Sequence, residues 1–159
     1  MSSQVLREQG SAVGSFVRLV RAHAAVTRAM NAQLLADHGL TINQYEALLQ
    51  LAWAEGRRMR RVDLAERLVL TPSGVTRMLD GLEQAGYVDR DACPGDRRVT
   101  YAVLTETGLD KLRTASESHV ADIRSYFESR FSAEELDQLV ALLERLPSDA
   151  AETHDCSPG

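Results

Sequence analysis

Apolar positions divide the chain into segments of helical and strand-like period. Between residues 11 and 37, Phe16, Val17, Val20, His23, Ala24, Thr27, Met30 and Leu34 recur at intervals of three and four, which places them on one face of a helix. Asp37-His38-Gly39 ends that pattern, with the glycine suited to the left-handed position after a helix. Residues 41–54 predict a second helix with Leu48, Leu51 and Ala52 inward and Trp53 near its end, closed by Gly56. Residues 57–61 are short, basic and extended. Residues 62–68 predict a short helix that turns Leu64, Ala65 and Leu68 inward, followed by a turn at 70–72. Thr71-Pro72 marks the next helix start: the hydroxyl caps exposed amides, and proline is tolerated in the first helical position. That helix runs to Ala85 and stops at Gly86, with Val75, Met78, Leu79 and Leu82 inward and Ser73, Thr76, Arg77 and Asp80 outward.

The period then changes. Residues 87–90 and 99–104 are runs of β-branched and aromatic side chains, and residues 91–98 between them form a hairpin loop bent at Pro94-Gly95. A long helix follows from Thr105 to about Phe131, with a stripe of Leu109, Leu112, Val120, Ile123 and Phe127. Ser132 with Glu135 is a capping box that opens a last helix bearing Leu136, Leu139, Val140, Leu143 and Leu146, stopped by Pro147. The first ten residues read as frayed and residues 148–159 as a disordered polar tail; no internal repeat is present.

This order predicts a mainly α fold with a small β-hairpin wing, a winged helix-turn-helix flanked by dimerisation helices. The expected division is an N-terminal dimerisation helix at 1–40, a winged DNA-binding unit at 41–104, C-terminal dimerisation helices at 105–147, and the tail. Dimerisation has a physical rationale. The helices at 11–37 and 106–131 would each be about 40 Å long at roughly 1.5 Å per residue, too long for one small winged unit to cover. A symmetry mate supplies the missing partner and sets two reading helices about one DNA turn apart.

Charge sharpens the functional reading. The 159-residue chain carries a net −5, which by itself argues against a nucleic-acid partner. Residues 57–101, however, hold nine arginines against seven acidic residues, so the predicted reading region is locally basic. A 44% hydrophobic content supports a real core, and no apolar run reaches the roughly 18 residues of a membrane span. The start MSSQVLREQG has no apolar signal core, and Cys93 and Cys156 form neither a metal spacing nor a disulfide framework; a cytoplasmic location is expected.

A helix-turn-helix reads duplex DNA by laying its second helix in the major groove. Ser73, Gly74 and Thr76 are small enough for close approach, the first turn after Thr71 offers backbone amides to a phosphate, and Arg77 could grip either a guanine edge or a phosphate. Asp96-Arg97-Arg98 follows in the hairpin, where an arginine reaches the negative potential of the minor groove. Asp96 is expected to hold the Arg98 guanidinium through a charge-assisted hydrogen bond.

These residues resemble the MarR family, the multiple-antibiotic-resistance regulators of bacteria. The matching features are the Leu64-Ala65 helix, the run Ser73-Gly-Val-Thr-Arg-Met-Leu-Asp-Gly-Leu-Glu-Gln-Ala-Gly86, and the wing pattern Asp96-x-Arg98 followed by Leu104-Thr105 and Glu106-x-Gly108. The resemblance spans residues 11–146. It implies a homodimer on a pseudo-palindromic promoter site, usually repressed, with the Ser73–Arg77 turn in the major groove and Arg98 in the minor groove. Many relatives bind a small phenolic or anionic aromatic effector between dimer helices and winged unit, which implies His23, Tyr45 and Trp53 as lining candidates. No cofactor is expected. The first helix lacks the cysteine of the oxidant-sensing relatives, and Cys93 has no evident thiolate-stabilising surroundings. His23, His38, His119 and His154 show no paired metal-ligand spacing. Two rival classes stay open. One is a winged protein-interaction module without DNA binding, favoured by the acidic total. The other is a small enzyme, disfavoured because no phosphate loop, metal cluster or nucleophile–His–Asp grouping can be assembled.

Overall fold

Hydroxyl side chains set where five of the helices begin. Ser11 accepts from the Gly14 amide at the start of α1 (Ala12–His38), Thr41 from Gln44 at α2 (Ile42–Trp53), and Thr71 from Gly74 at Pro72–Gln84. Thr105 accepts from Gly108 at Glu106–Glu128, and Ser132 from Glu135 at Ala133–Leu143. Each cap satisfies an amide that the helix itself cannot, a contribution of about 1 kcal/mol. The computed structural model describes residues 11–68 and 70–147. The segments read as frayed (1–10) and as a disordered tail (148–159), with His154 and Cys156, lie outside the described residues.

In full, the order is α1, α2, a single turn at Glu55–Arg57, β1 (Arg58–Arg60), α3 (Arg61–Arg67), α4 (Pro72–Gln84), β2 (Val88–Cys93), β3 (Asp96–Leu104), α5 (Glu106–Glu128) and α6 (Ala133–Leu143). The fold is helical with one small sheet, strand order β1-β3-β2, both pairings antiparallel. The short basic segment is thus the sheet's third strand, Arg58 facing Val103 and Arg60 facing Tyr101.

The core lies where α2, α3, α4, the sheet and the first half of α5 meet. Leu48, Leu51, Leu64, Leu79, Leu82 and Val88 have almost no exposed surface. Each such side chain contributes about 1.5–3 kcal/mol of burial. The helix-turn-helix faces match the periodicity: Leu64, Ala65 and Leu68 from α3 and Val75, Leu79 and Leu82 from α4 are buried. Along α1 only Met30 and Leu34 are buried, so most of the stripe expected there faces outward in the protomer.

Two expectations need correction here. The hairpin is longer than its apolar residues suggest, because β2 continues to Cys93 and β3 begins at Asp96, leaving Pro94-Gly95 as the bend. Residues 91–98 are therefore mostly strand rather than loop. Backbone hydrogen bonds hold a ribbon whose side chains at residues 91–98, the buried Cys93 apart, are exposed, so no alternating apolar pattern announces it. The last two helices also stop early, α5 at Glu128 instead of about Phe131 and α6 at Leu143, ahead of Pro147.

The start of α5 is latched to the turn between α4 and β2. The Thr105 amide donates to the Tyr87 carbonyl at 3.1 Å and its hydroxyl to the Gly86 carbonyl at 2.7 Å. Gly108 sits so close to the Tyr87 carbonyl that a Cβ there would overlap the oxygen. Only a residue without a side chain permits this approach.

Candidate nucleic-acid interface

The first turn of α4 is built for approach from outside. Thr71 accepts the Gly74 amide at 3.1 Å, and a Cβ on Gly74 would crowd that same hydroxyl. Thr71 also lies 3.3 Å from the Ser73 hydroxyl, and the Thr76 hydroxyl donates to the Pro72 carbonyl at 3.0 Å. Thr71, Ser73, Thr76 and Arg77 are exposed, whereas Val75 and Leu79 anchor the opposite face. Small hydroxyl residues thus surround an exposed helix N-terminus, with one long cation a turn further along. Asp80, expected outward, is half-exposed and paired to Arg90.

The wing presents Asp96, Arg97 and Arg98, all exposed, on the first residues of β3. Asp96 does order Arg98, through a different group from the one expected. Its Oδ1 accepts the Arg98 backbone amide at 2.9 Å, so the carboxylate closes a local turn and leaves the guanidinium outward. Among the described residues neither Arg77 nor Arg98 has its guanidinium in a hydrogen bond or ion pair within the protomer. Cys93, at the last position of β2 beside a register shift, is buried.

Sequence reasoning missed three ion-paired arrangements around this surface. Arg60 binds Asp63 through both Nε and Nη2 at 2.7 Å, which clamps the start of α3. Arg57, the one non-glycine described residue with a positive φ (54°), pairs with Glu106 at the start of α5. Arg90 of β2 reaches Asp80 and Glu83 of α4. The partners in two of these pairs lie ten or more residues apart, beyond local spacing rules. The Arg60–Asp63 spacing of three was available in the sequence.

The three effector candidates do not gather at one point. Tyr45 is buried, donates to or accepts from Ser116 at 3.0 Å, and meets the His119 ring edge-on at 4.7 Å between centroids. Trp53 lies eight residues further along α2, about 12 Å of helix rise, and is 71% exposed. His23 is exposed on α1, where its charge partly offsets the burial that raises the Glu46 carboxyl above the usual carboxylate range. His119 is a polar residue at this junction that the periodicity did not mark. It is buried on α5, and burial holds its imidazole below the ordinary histidine value, with Asp122 opposing and His38 adding to the shift. His38, the last residue of α1, meets the Ser118 hydroxyl at 2.6 Å. The junction of α1, α2 and α5 is therefore polar inside. Among the described residues, no three or more His, Cys, Asp and Glu side chains form a group able to hold a metal ion.

A capped reading helix beside an arginine-bearing antiparallel ribbon defines a winged helix-turn-helix protein. The family model described as MarR family matches residues 40–100. The chain is 31% identical to the HTH-type transcriptional regulator MhqR of Bacillus subtilis, over 88% of this chain and 94% of that protein. Among solved structures it is similar to AbsC, a MarR family transcriptional regulator from Streptomyces coelicolor, at TM-score 0.70 and 35% identity, covering 87% of this chain and 94% of that one. Sco3205, a MarR family regulator from the same organism solved in complex with DNA, aligns at TM-score 0.75 and 28% identity over 87% and 88% of the two chains. The chain belongs to the MarR family of transcriptional regulators.

Proposed function

We propose that the protein is a DNA-binding transcription regulator that binds a pseudo-palindromic promoter site as a homodimer and represses from it. The observation that carries this reading is the free, outward placement of Arg77 and Arg98, one on the reading helix and one on the wing. Arg77 would enter the major groove behind the small residues Ser73, Gly74 and Thr76, and Arg98 the minor groove, with Arg97 and the Ser73 amide, the one amide of that first turn not taken by Thr71, on phosphates. The solved structure of Sco3205, a similar chain, in complex with DNA supports the same class of partner. The expected domain division follows: 41–104 reads DNA, and 1–40 with 105–147 pairs the protomers, in a cytoplasmic protein.

Dimerisation is supported by apolar side chains that the protomer leaves exposed at both ends of the chain. Phe16 and Val20 of α1, Val120 and Ile123 of α5, and Val140 and Leu143 of α6 are each at least 36% exposed. Large apolar side chains exposed in this number favour a protein partner over water. An aromatic or anionic effector would act at the junction of α1, α2 and α5, which centres the candidates on Tyr45; binding there would favour one separation of the reading helices over another.

Selection of bound fragments from the source genome tests the function. The parent protein should enrich discrete promoter fragments with inverted half-sites, and the Arg77→Ala/Arg98→Ala double variant should enrich none. Equal enrichment by both proteins, or none by the parent, would favour the protein-interaction module instead. Repeating the selection with a panel of aromatic carboxylates tests effector release.

A further inference from the structure

Arg90, like Arg57 and Arg60, is an arginine of the basic segment that is paired within the protomer. Arg90 on β2 donates through Nη2 to Asp80 Oδ1 at 3.2 Å and to both Glu83 oxygens at 3.2 and 3.1 Å, and through Nε to Glu83 Oε1 at 3.2 Å. Asp80 and Glu83 are three residues apart on α4 and continue the outward side that begins at Thr76 and Arg77. Among the described residues, neither carboxylate has another cationic partner within 4 Å.

We propose that Arg90 is a positioning residue for DNA recognition: it neutralises the two carboxylates beside Arg77 and so keeps the Arg77 guanidinium available to DNA. The proposal rests on the reading that α4 enters the major groove. Asp80 lies three residues after Arg77, the spacing at which opposite charges pair on a helix surface. With Arg90 gone, Asp80 has a free carboxylate within reach of Arg77, and that new pair competes with the groove. Two uncompensated negative charges would also face the phosphates, whose field dominates affinity. Arg90 is half-exposed, and exposed ion pairs contribute little to folding, so its removal registers in recognition more than in stability.

The test uses the full chain and a genomic fragment recovered in the selection, with a second duplex altered at the half-site position that Arg77 governs. Parent, Arg77→Ala, Arg90→Ala, Asp80→Asn/Glu83→Gln and the Arg90→Ala/Asp80→Asn/Glu83→Gln triple variant are compared for Kd, salt dependence and thermal midpoint. Arg90→Ala is expected to bind about two- to fivefold more weakly, as Arg77 in each arm is drawn to a bared carboxylate, and to lose part of its discrimination between the duplexes at a nearly unchanged midpoint. The triple variant should regain affinity and discrimination, matching the Asp80→Asn/Glu83→Gln protein. A triple variant as weak as Arg90→Ala, with a salt slope shallower by about one counterion per arm, would make Arg90 itself a phosphate contact and overturn the proposal. Parent-like binding by Arg90→Ala, alongside impaired Arg77→Ala, overturns it alone. Parent-like binding and discrimination by Arg77→Ala overturn the groove reading, and the proposal with it.

Discussion

Single side chains divide here by what they face. Arg98 faces outward from the wing with its backbone fixed by Asp96, so Arg98→Ala should weaken binding across many sequences and make the salt dependence shallower by about one counterion per arm. Arg77→Ala, if the guanidinium reads a base, should instead relax preference at one position per half-site, at about 1–3 kcal/mol each; binding to a set of single-base operator variants separates the two patterns. His119 faces inward, and its folded-state pKa is lowered from 6.5 chiefly by burial. The unfolded chain therefore takes up a proton at a higher pH than the folded one. Its stability contribution is complete above pH 6.5 and falls as pH drops from there toward the folded-state value. Thermal midpoints between about pH 7 and 5 should show this decline, and His119→Phe should flatten it. The sequence exposed Arg77 and Arg98 because outward polar residues break a helical apolar stripe and cluster in a turn. It could not tell that Asp96 binds an amide and not a guanidinium, since both arrangements span the same two residues. Nor could it show Arg90 with Asp80, ten residues apart and joined only by the packing of β2 on α4.

At the level of elements, caps and close contacts set positions. Thr71→Ala removes the acceptor for the Gly74 amide, with an expected loss of about 1 kcal/mol. Denaturant unfolding should show that loss, and DNA affinity should fall with it if the same turn approaches the duplex as proposed. Gly108→Ala should cost more than the usual exchange of glycine for alanine in a helix, which is stabilising, because the added methyl meets the Tyr87 carbonyl. A rise in thermal midpoint would show that α5 can shift away from the turn without penalty. The positions of the helices were legible from period, and two of their starts from capping residues, since Thr71-Pro72 and Ser132 to Glu135 are local signals; the uncapped α3 rested on period alone. The wing strands were half legible. Val99 to Leu104 has the β-branched and aromatic character of a buried strand, but Asp91, Ala92 and Asp96 are exposed and small or acidic, so composition carries no trace of the pairings Asp91 with Tyr101, Ala92 with Thr100 and Cys93 with Asp96.

Across the molecule, the apolar stripes that outrun the protomer call for a second copy. Ile123→Asp places a charge in the exposed part of the α5 stripe, where a dimer would bury it without a partner. Size exclusion with light scattering should find a monomer, and affinity for a two-half-site fragment should fall to that of a single half-site. Unchanged mass would mean that this stripe is not the dimer seam. The stripes were visible in the sequence, whereas their exposure was not, because periodicity marks an apolar face without saying which surface covers it. The total charge of −5 pointed away from DNA for a related reason: it sums over the whole chain, whereas residues 57–101 hold nine arginines against seven acidic residues. The latch joining Thr105 and Gly108 to the turn after α4 has a mechanical corollary. A shaft of 23 residues, about 34 Å long, is gripped at its very end by the loop that follows the reading helix. A lean of only 5° along that shaft sweeps its tip through about 3 Å, which is comparable to one base-pair step, and in the proposed homodimer a two-fold axis would double the change in spacing between the two half-site contacts.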